Sequence, residues 1–343
     1  MTANHPSFPA DKERDAIRIF MRNLGNRFAD PDFETDASTF IISGEHWLFS
    51  TDEFSAEDNF RSNRAYVLGW NVAAATISDI LAAGGLPVFF AHAVTLQNDW
   101  NAQYVEGFSK GIAKCLETAG AEFLGGDMGM SGNWKYTGIA IGKKMADLNR
   151  NGAKEGDLIY MTGQAGAGNL EAALLLYSGK MLLKPMLDIV EVVFPLRIKE
   201  SVLVRKYANC CIDSSDGVFR ALQDISRISR MGFRASQIPY HNKGLLACKL
   251  LGKPEEMLFL GECGEYELVF TISPENENEF LEEARSNNLE FARIGVITGD
   301  SGQYLINGSR TLDLTGYSLF ARNYEDVNQY ITEVIQFIKD GYR

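Results

Sequence analysis

The spacing of apolar and polar positions changes repeatedly along the 343-residue chain. Around Ile17–Leu24 the apolar positions recur at helical spacing, giving a short amphipathic segment. Ser38–Ser43 and Trp47–Thr51 are short runs rich in β-branched and aromatic residues, and Gly44-Glu45 between them predicts a hairpin. Arg64–Ala83 is apolar nearly all round and rich in small residues, which predicts a buried helix stopped by Gly84-Gly85 and Pro87. Next come a strand over Pro87–Leu96, an amphipathic helix over Trp100–Ala119 ended by Gly120, and strands over Glu122–Leu124 and Tyr136–Gly142. The predicted order is ββαβαββ.

A polar, turn-rich stretch, Lys143–Asp157, interrupts this pattern with Asn151-Gly152 and Glu155-Gly156-Asp157. It divides the chain into an N-terminal domain, residues 1–148, and a C-terminal domain, residues 149–343. In the second, Leu158–Thr162 reads as a strand followed by Gly163, Gly166 and Gly168 and a helix over Asn169–Ser178. Ala208–Ile212 leads into a helix over Val218–Met231 that Gly232 stops. Strands over Glu267–Ile272 and Phe291–Ile297 flank a helix over Glu275–Ser286, and Tyr324–Lys339 is a terminal helix. Two α+β domains fit this better than one doubly wound sheet.

Composition narrows the functional classes. The chain has 33 basic and 45 acidic residues, a formal charge of −12, which argues against a general binder of nucleic acid or anionic membranes. No apolar run is expected to reach the roughly 18 residues of a membrane span, and the N-terminus lacks the apolar centre of a signal peptide, so a cytoplasmic location is expected. Five cysteines form no CxxC pair and four histidines show no ligand spacing. Neither a zinc site nor a disulfide framework is expected.

Aspartates carry the strongest chemical signal. Trp47-Leu-Phe-Ser-Thr-Asp52, Glu122-Phe-Leu-Gly-Gly-Asp127 and Cys211-Ile-Asp213-Ser-Ser-Asp216 each set a carboxylate where an apolar strand ends. Asp79 sits within the apolar helix, with no Lys or Arg inside one turn, where an ionised side chain needs a partner or a cation. Asp36 precedes the first strand and can join the same cluster. Carboxylates with few basic partners are what a hard divalent cation requires, and a bound cation bridges to phosphate oxygens. Magnesium suits the set better than calcium, for want of a calcium loop, and better than zinc, for want of nitrogen and sulfur ligands. Local structure offers a competing account: Asp213, Ser214, Ser215 and Asp216 are all good N-cap residues for the helix that follows. Likewise Thr162-Gly-Gln-Ala-Gly-Ala-Gly168 follows a strand and precedes a helix, yet without GxxxxGK[ST] it reads as a structural connection.

Read together, Ser50-Thr-Asp52, Asn71 through Ser78-Asp79-Ile-Leu-Ala-Ala-Gly84, Gly125-Gly-Asp127, Gly152-Ala-Lys-Glu-Gly-Asp157, Asp213-Ser-Ser-Asp-Gly217 and Glu265-Tyr-Glu-Leu-Val-Phe270 resemble, in order, the motifs of the thiamine-monophosphate kinase family. The resemblance spans Phe33 to Phe320 and implies a two-domain, aminoimidazole-ribonucleotide synthase-like α+β fold. Its N-terminal domains would form a shared β-barrel in a homodimer, with a C-terminal α/β domain in each subunit. It further implies transfer of the γ-phosphate of ATP to the phosphate of thiamine monophosphate, with magnesium. By residue match, Asp36, Thr51, Asp52, Asp79, Asp127, Asp213 and Asp216 would hold metal. Thr51, Gly126, Asp127, Ser215 and Asp216 would meet the nucleotide, and Asp213 and Asp216 would serve catalysis. Asn59, Glu265, Tyr266 and Tyr317 would face the acceptor.

Departures gather on that acceptor side. Thr35 stands where the family has a second acidic residue, and Ser55-Ala-Glu-Asp-Asn59-Phe60 lacks the family's histidine. Glu262-Cys-Gly-Glu-Tyr-Glu-Leu268 replaces Gly-Gly-Glu-Asp-Tyr-Glu-Leu, and Gly316-Tyr-Ser-Leu-Phe320 replaces Gly-Tyr-Asp-His-Phe. Alternative expectations are therefore a different small-molecule acceptor, or a nucleotide-binding protein with reduced catalysis.

Overall fold

The computed structural model describes residues 12–24, 34–58, 60–61, 64–181, 185–186 and 190–343. A first helix, α1 (Lys12–Leu24), includes the predicted amphipathic segment and extends it toward the N-terminus. Strands β1 (Ser38–Ile42) and β2 (Glu45–Ser55) form the predicted hairpin. Ile42 pairs with Glu45, so the loop is Ser43-Gly44. Both loop residues have positive φ, +51° and +83°, the combination that matches the twist of a two-residue hairpin.

Helix α2 (Ala65–Ala82), strand β3 (Gly85–Gln97), helix α3 (Ala102–Ala119) and strands β4 (Glu122–Ser131) and β5 (Lys135–Lys144) complete the first unit. Its sheet runs β1-β2-β5-β3-β4, antiparallel except for β3 and β4. Strand β4 is much longer than its apolar start suggested. Gly125, Gly126, Asp127 and Gly129 are poor strand formers, and parallel pairing with β3 overrides their propensity.

By length and composition α2 is apolar enough to cross a membrane, which corrects the expectation that no segment reaches that length. Here its apolar residues are spent inside the protein: Val72, Ala73, Ala74, Ala75 and Ile77 are fully buried. Small residues let α2 approach its neighbours closely. A Cβ on Gly111 of α3 would lie 2.0 Å from the main-chain oxygen of Tyr66, and one on Gly138 of β5 would lie 2.2 Å from Thr76 Oγ1. The helix is thereby fixed against both α3 and the sheet.

The second unit is a seven-stranded mixed sheet ordered β12-β11-β8-β10-β6-β9-β7. Its strands are β6 (Leu158–Thr162), β7 (Ala208–Asp213), β8 (Gly232–Ser236), β9 (Leu268–Ile272), β10 (Phe291–Thr298), β11 (Gln303–Asn307) and β12 (Arg310–Asp313). Its helices are α4 (Ala167–Leu176), α5 (Ile198–Tyr207), α6 (Val218–Ser229), α7 (Asn242–Leu251), α8 (Met257–Leu260), α9 (Glu277–Ser286) and α10 (Val327–Gly341). Helix α6 ends at Ser229 with Arg230 in the left-handed region, so Gly232 begins β8 rather than stopping the helix.

Both faces of this sheet are buried, and the period of two along each strand sorts the side chains. Leu158, Tyr160, Leu268, Phe270 and Ile272 face a core continuous with Val72, Ile77 and Ile80 of α2. Ile159, Met161, Val269 and Ile212 face a second core with Phe219, Phe233 and Val334. The two units thus share one core. All five cysteines are free thiols, and only Cys263 is not buried.

Candidate active site

The shared core brings α2 of the first unit against the end of β7 in the second, and the aspartates meet there. Ser50 and Asp52 lie two residues apart on β2, so they share a face, and the Ser50 hydroxyl donates to Asp79 Oδ2 on α2. One residue earlier on α2, the Ser78 hydroxyl donates to Asp213 Oδ2 at the end of β7. Asp36 stands just before β1, where Arg150 donates to its Oδ1 at 2.6 Å, while its buried Oδ2 has no partner among the described residues. One carboxylate oxygen from each of Asp36, Asp79 and Asp213 lies within 4.8 Å of the others.

Electrostatics follow from this crowding. Burial pushes Asp213 up to about 7, with the charge of Asp36 adding to the shift. Burial and then Asp36 push Asp52 up to about 6. Asp79 is held well above the usual carboxylate range by burial, by Asp52 and by Asp213. Asp36 is also raised by burial, against the opposing charge of Arg150. One guanidinium among four carboxylates leaves a strong negative field, and oxygen-only donors at this spacing fit a hard divalent cation.

Beside the cluster opens a cleft of about 440 Å³ lined by Asp52, Asp58, Phe60, Ser215, Asp216 and Tyr266 among others. Ser215 and Asp216 are exposed at the N-terminal end of α6, where a helix favours an anion. Asp216 also meets Arg322 at 3.2 Å. Tyr266 packs on Phe194, ring centroids 4.7 Å apart, and holds φ at +57°. Such a conformation in a non-glycine residue is costly, and it falls at a residue that lines the cleft.

Not every expected residue joins this cluster. Thr51 is exposed on the face of β2 opposite Ser50. Gly126 and Asp127 are exposed on edge strand β4, and β5 and β3 intervene between β2 and β4. Three strand spacings put Asp127 roughly 14 Å from the row of Asp52. Glu265 is buried behind the site, where it accepts the Gly166 N–H at 2.8 Å and burial raises it to about 8. That bond uses the glycine connection after β6 structurally. Tyr317 is buried in the second core against Phe219 rather than lining the cleft. Asn59 lies outside the described residues. Thr35 donates its hydroxyl to the Ala37 carbonyl at 2.8 Å.

Glu171 and Phe194 line the cleft without having been singled out in the sequence, and Asp58 and Glu262 line it from within the acceptor-side departures, where neither was given a role. Glu171 carried a usable signal: like Asp79, it is a carboxylate on a mainly apolar helix, where Asn169 is the other polar residue.

These pKa shifts predict a pH dependence of stability in metal-free protein. The folded-state values lie above the unfolded value of 3.8, so folding is favoured by protonation and disfavoured as pH rises through about 6 to 7. In EDTA, raising pH from 5.5 to 8 should lower the melting temperature by roughly 3–6 °C. Excess Mg²⁺ should remove most of that loss, and Asp213→Asn should flatten it. An equal slope in wild type and Asp213→Asn would show that the cluster is not its source.

Comparison with known proteins fits this geometry. The family described as AIR synthase related protein, N-terminal domain, matches residues 34–143, and AIR synthase related protein, C-terminal domain, matches residues 154–307. Thiamine-monophosphate kinase from Pyrococcus horikoshii is 28% identical over 302 residues, which cover 86% of this chain and 91% of that protein. The enzyme of that name from Buchnera aphidicola subsp. Schizaphis graminum is 30% identical over 257 residues, covering 71% of this chain and 77% of the relative. Among solved structures, AaThiL complexed with AMPPCP and TMP superposes with a TM-score of 0.73 at 24% identity, covering 85% of this chain and 93% of that one. With its paired domains and its aspartates gathered where they join, the chain belongs to the thiamine-monophosphate kinase family of phosphotransferases.

Proposed function

We propose that the protein transfers the γ-phosphoryl group of ATP to the phosphate of thiamine monophosphate, with magnesium, giving thiamine diphosphate and ADP. The observation that carries this reading is the approach of Asp36, Asp79 and Asp213 to within 4.8 Å beside the cleft. A phosphate oxygen of the acceptor forms the new P–O bond, and the bond from the γ-phosphorus to the β–γ bridging oxygen breaks. That acceptor oxygen is already anionic, so no protein nucleophile and no strong base are required. Catalysis then rests on position and charge.

Asp36, Asp52, Asp79 and Asp213 would hold the magnesium, with Ser50 and Ser78 fixing two of those carboxylates. Bound magnesium supplies the positive charge that allows two phosphates and four carboxylates to share the site. Ser215 and Asp216, at the start of α6, orient the phosphates, and Tyr266 and Phe60 wall the cleft on the acceptor side.

The homodimer belongs to the same proposal. Among the described residues strand β4 is an edge of its sheet and carries the exposed Phe123, Leu124, Met128 and Met130, and an apolar edge of this kind is a surface for a second chain. Gly126 and Asp127 would serve the nucleotide from that interface, and Thr51 would contribute through its main chain. A domain boundary after residue 148 and a cytoplasmic location complete the reading.

Incubation with ATP, Mg²⁺ and thiamine monophosphate should produce thiamine diphosphate, followed by chromatography. Product from another phosphomonoester and none from thiamine monophosphate would favour a related kinase with a different acceptor. Magnesium-dependent ATP binding by calorimetry without turnover on any acceptor would identify a nucleotide-binding protein of reduced catalysis.

A further inference from the structure

Asp216 stands just before α6 with half its side chain exposed, and by itself a carboxylate there repels a phosphate. Asp52, Glu53, Asp58, Glu171 and Glu262 line the same cleft, and among the described residues no Lys, Arg or His joins that lining. Arg61 answers Glu171. Two phosphates meeting at the Asp216 end need a cation of their own.

Arg322 stands there. It donates to Asp216 Oδ2 at 3.2 Å from a segment 106 positions further along the chain. Its charge also reaches Glu262, which burial raises and which the Ala321 N–H and then Arg322 hold back. The guanidinium therefore lies beside two carboxylates of the cleft wall.

The backbone that carries Arg322 is tied down. Ala321–Asn323 forms a short 3₁₀ helix, and Glu262 accepts the Ala321 N–H. Phe320 lies under the Arg220 guanidinium, 4.2 Å from its ring centroid, and Gln223 donates to the Tyr317 carbonyl at 3.2 Å. Arg220 and Gln223 both belong to α6, so the helix beside the cleft fixes the segment and leaves the long Arg322 side chain to adjust. Stability does not account for the contact, because an ion pair whose side chains are 32% and 50% exposed contributes little. A guanidinium carries its N–H donors in a planar fork, more than one carboxylate oxygen takes.

We propose that Arg322 is the phosphate clamp of this site: Asp216 orients its guanidinium, and further N–H groups of the fork hold oxygens of the γ-phosphoryl group of a bound nucleoside triphosphate. This rests on the reading of the chain as a kinase. Asp213, three residues before Asp216, reaches the aspartate cluster, so the phosphate at this turn is the one nearest the expected metal ligands. As it transfers, the electron pair of the broken bond stays on the bridging oxygen of ADP and the new bond forms to the acceptor oxygen. Arg322 meanwhile holds the oxygens that remain on the γ-phosphorus, over which the charge of the transition state is spread.

Calorimetry on the full-length protein in magnesium buffer tests this with AMPPCP and ADP, which differ by the γ-phosphate. Arg322→Gln should weaken AMPPCP by about tenfold or more, as expected for a lost charge-assisted hydrogen bond, and leave ADP within about twofold. Arg322→Lys keeps the charge without the fork and should fall between wild type and Arg322→Gln. Both variants should melt within about 2 °C of wild type. With ATP and thiamine monophosphate, Arg322→Gln should lower kcat by on the order of 10²-fold and leave KM for thiamine monophosphate nearly unchanged. Equal loss of AMPPCP and ADP would give Arg322 a structural role and overturn the proposal, as would unchanged AMPPCP affinity. Wild type that binds both nucleotides without turnover would strike the kinase reading alone, and the ratio of AMPPCP to ADP affinity would still decide the clamp. Wild type that binds neither would overturn both.

Discussion

Asp79→Asn is expected to lower the rate of thiamine diphosphate formation by roughly 10³-fold or more while leaving the protein folded. The substitution keeps the shape of the side chain and an oxygen for the Ser50 hydroxyl, but removes the charge. Groups that merely orient metal ligands cost about 10–100-fold when lost, so a direct carboxylate ligand should cost more. The effect on stability has the opposite sign. Ionised Asp79 is opposed by burial and by the charges of Asp52 and Asp213, and none of that opposition acts on an amide. Metal-free Asp79→Asn should therefore melt higher than wild type at pH 8. Steady-state rates and melts in EDTA test both halves. Activity within tenfold of wild type would remove Asp79 from the site.

The second large effect concerns Arg61, which joins the two units. Its Nε donates to Glu171 Oε2 at 2.7 Å, its own N–H donates to Glu171 Oε1 at 3.1 Å, and a guanidinium N–H meets the Val190 carbonyl at 2.7 Å. Both side chains of the pair are only 6% exposed. Arg61→Met would strand a carboxylate that burial already pushes upward and that Arg61 chiefly restrains. Breaking a buried pair from one side costs roughly 3–5 kcal/mol. The melting temperature should fall by on the order of 10 °C. Removing both charges in Arg61→Met/Glu171→Met should restore most of that stability, since an apolar pair of similar volume replaces a desolvated ionic one. A double variant no better than the single one would show that the loss lies in the contact with Val190 and in packing.

Legibility in the sequence depended on whether a residue's role is local. The stop of α3 at Gly120 and strand β6 were marked by their own residues, and so was the hairpin, although its turn lies at Ser43-Gly44, one residue before the expected Gly44-Glu45. Strands β8 and β11 are short and pair with each other and, for β8, with β10, all distant in sequence, so they left no local signal; helix α5 and the local β11–β12 hairpin, with Asn307 opposite Arg310, were missed as well. The same division holds in the site. Asp79 could be singled out because a carboxylate in an apolar helix conflicts with its surroundings. Its contact with Asp213, 134 positions away, depends on how α2 meets β7 and carried no local signal beyond the family likeness. Tyr317 illustrates the reverse: it sits in a partial match to the family motif, Gly316-Tyr-Ser-Leu-Phe320, but its ring is committed to the second core.

The continuous core between the two units also limits how the enzyme can move. Proteins that close over substrate by hinge bending usually join their domains through small, polar contacts. Here the apolar face of the seven-stranded sheet, Leu158, Tyr160, Leu268, Phe270 and Ile272, rests in the same core as α2. Opening the cleft by swinging one unit away would expose that face to water, at about 25 cal/mol for each Å² uncovered. On the proposed reading, entry and release of nucleotide would then fall to local rearrangement at the cleft rim, with the aspartates carried in a nearly rigid frame.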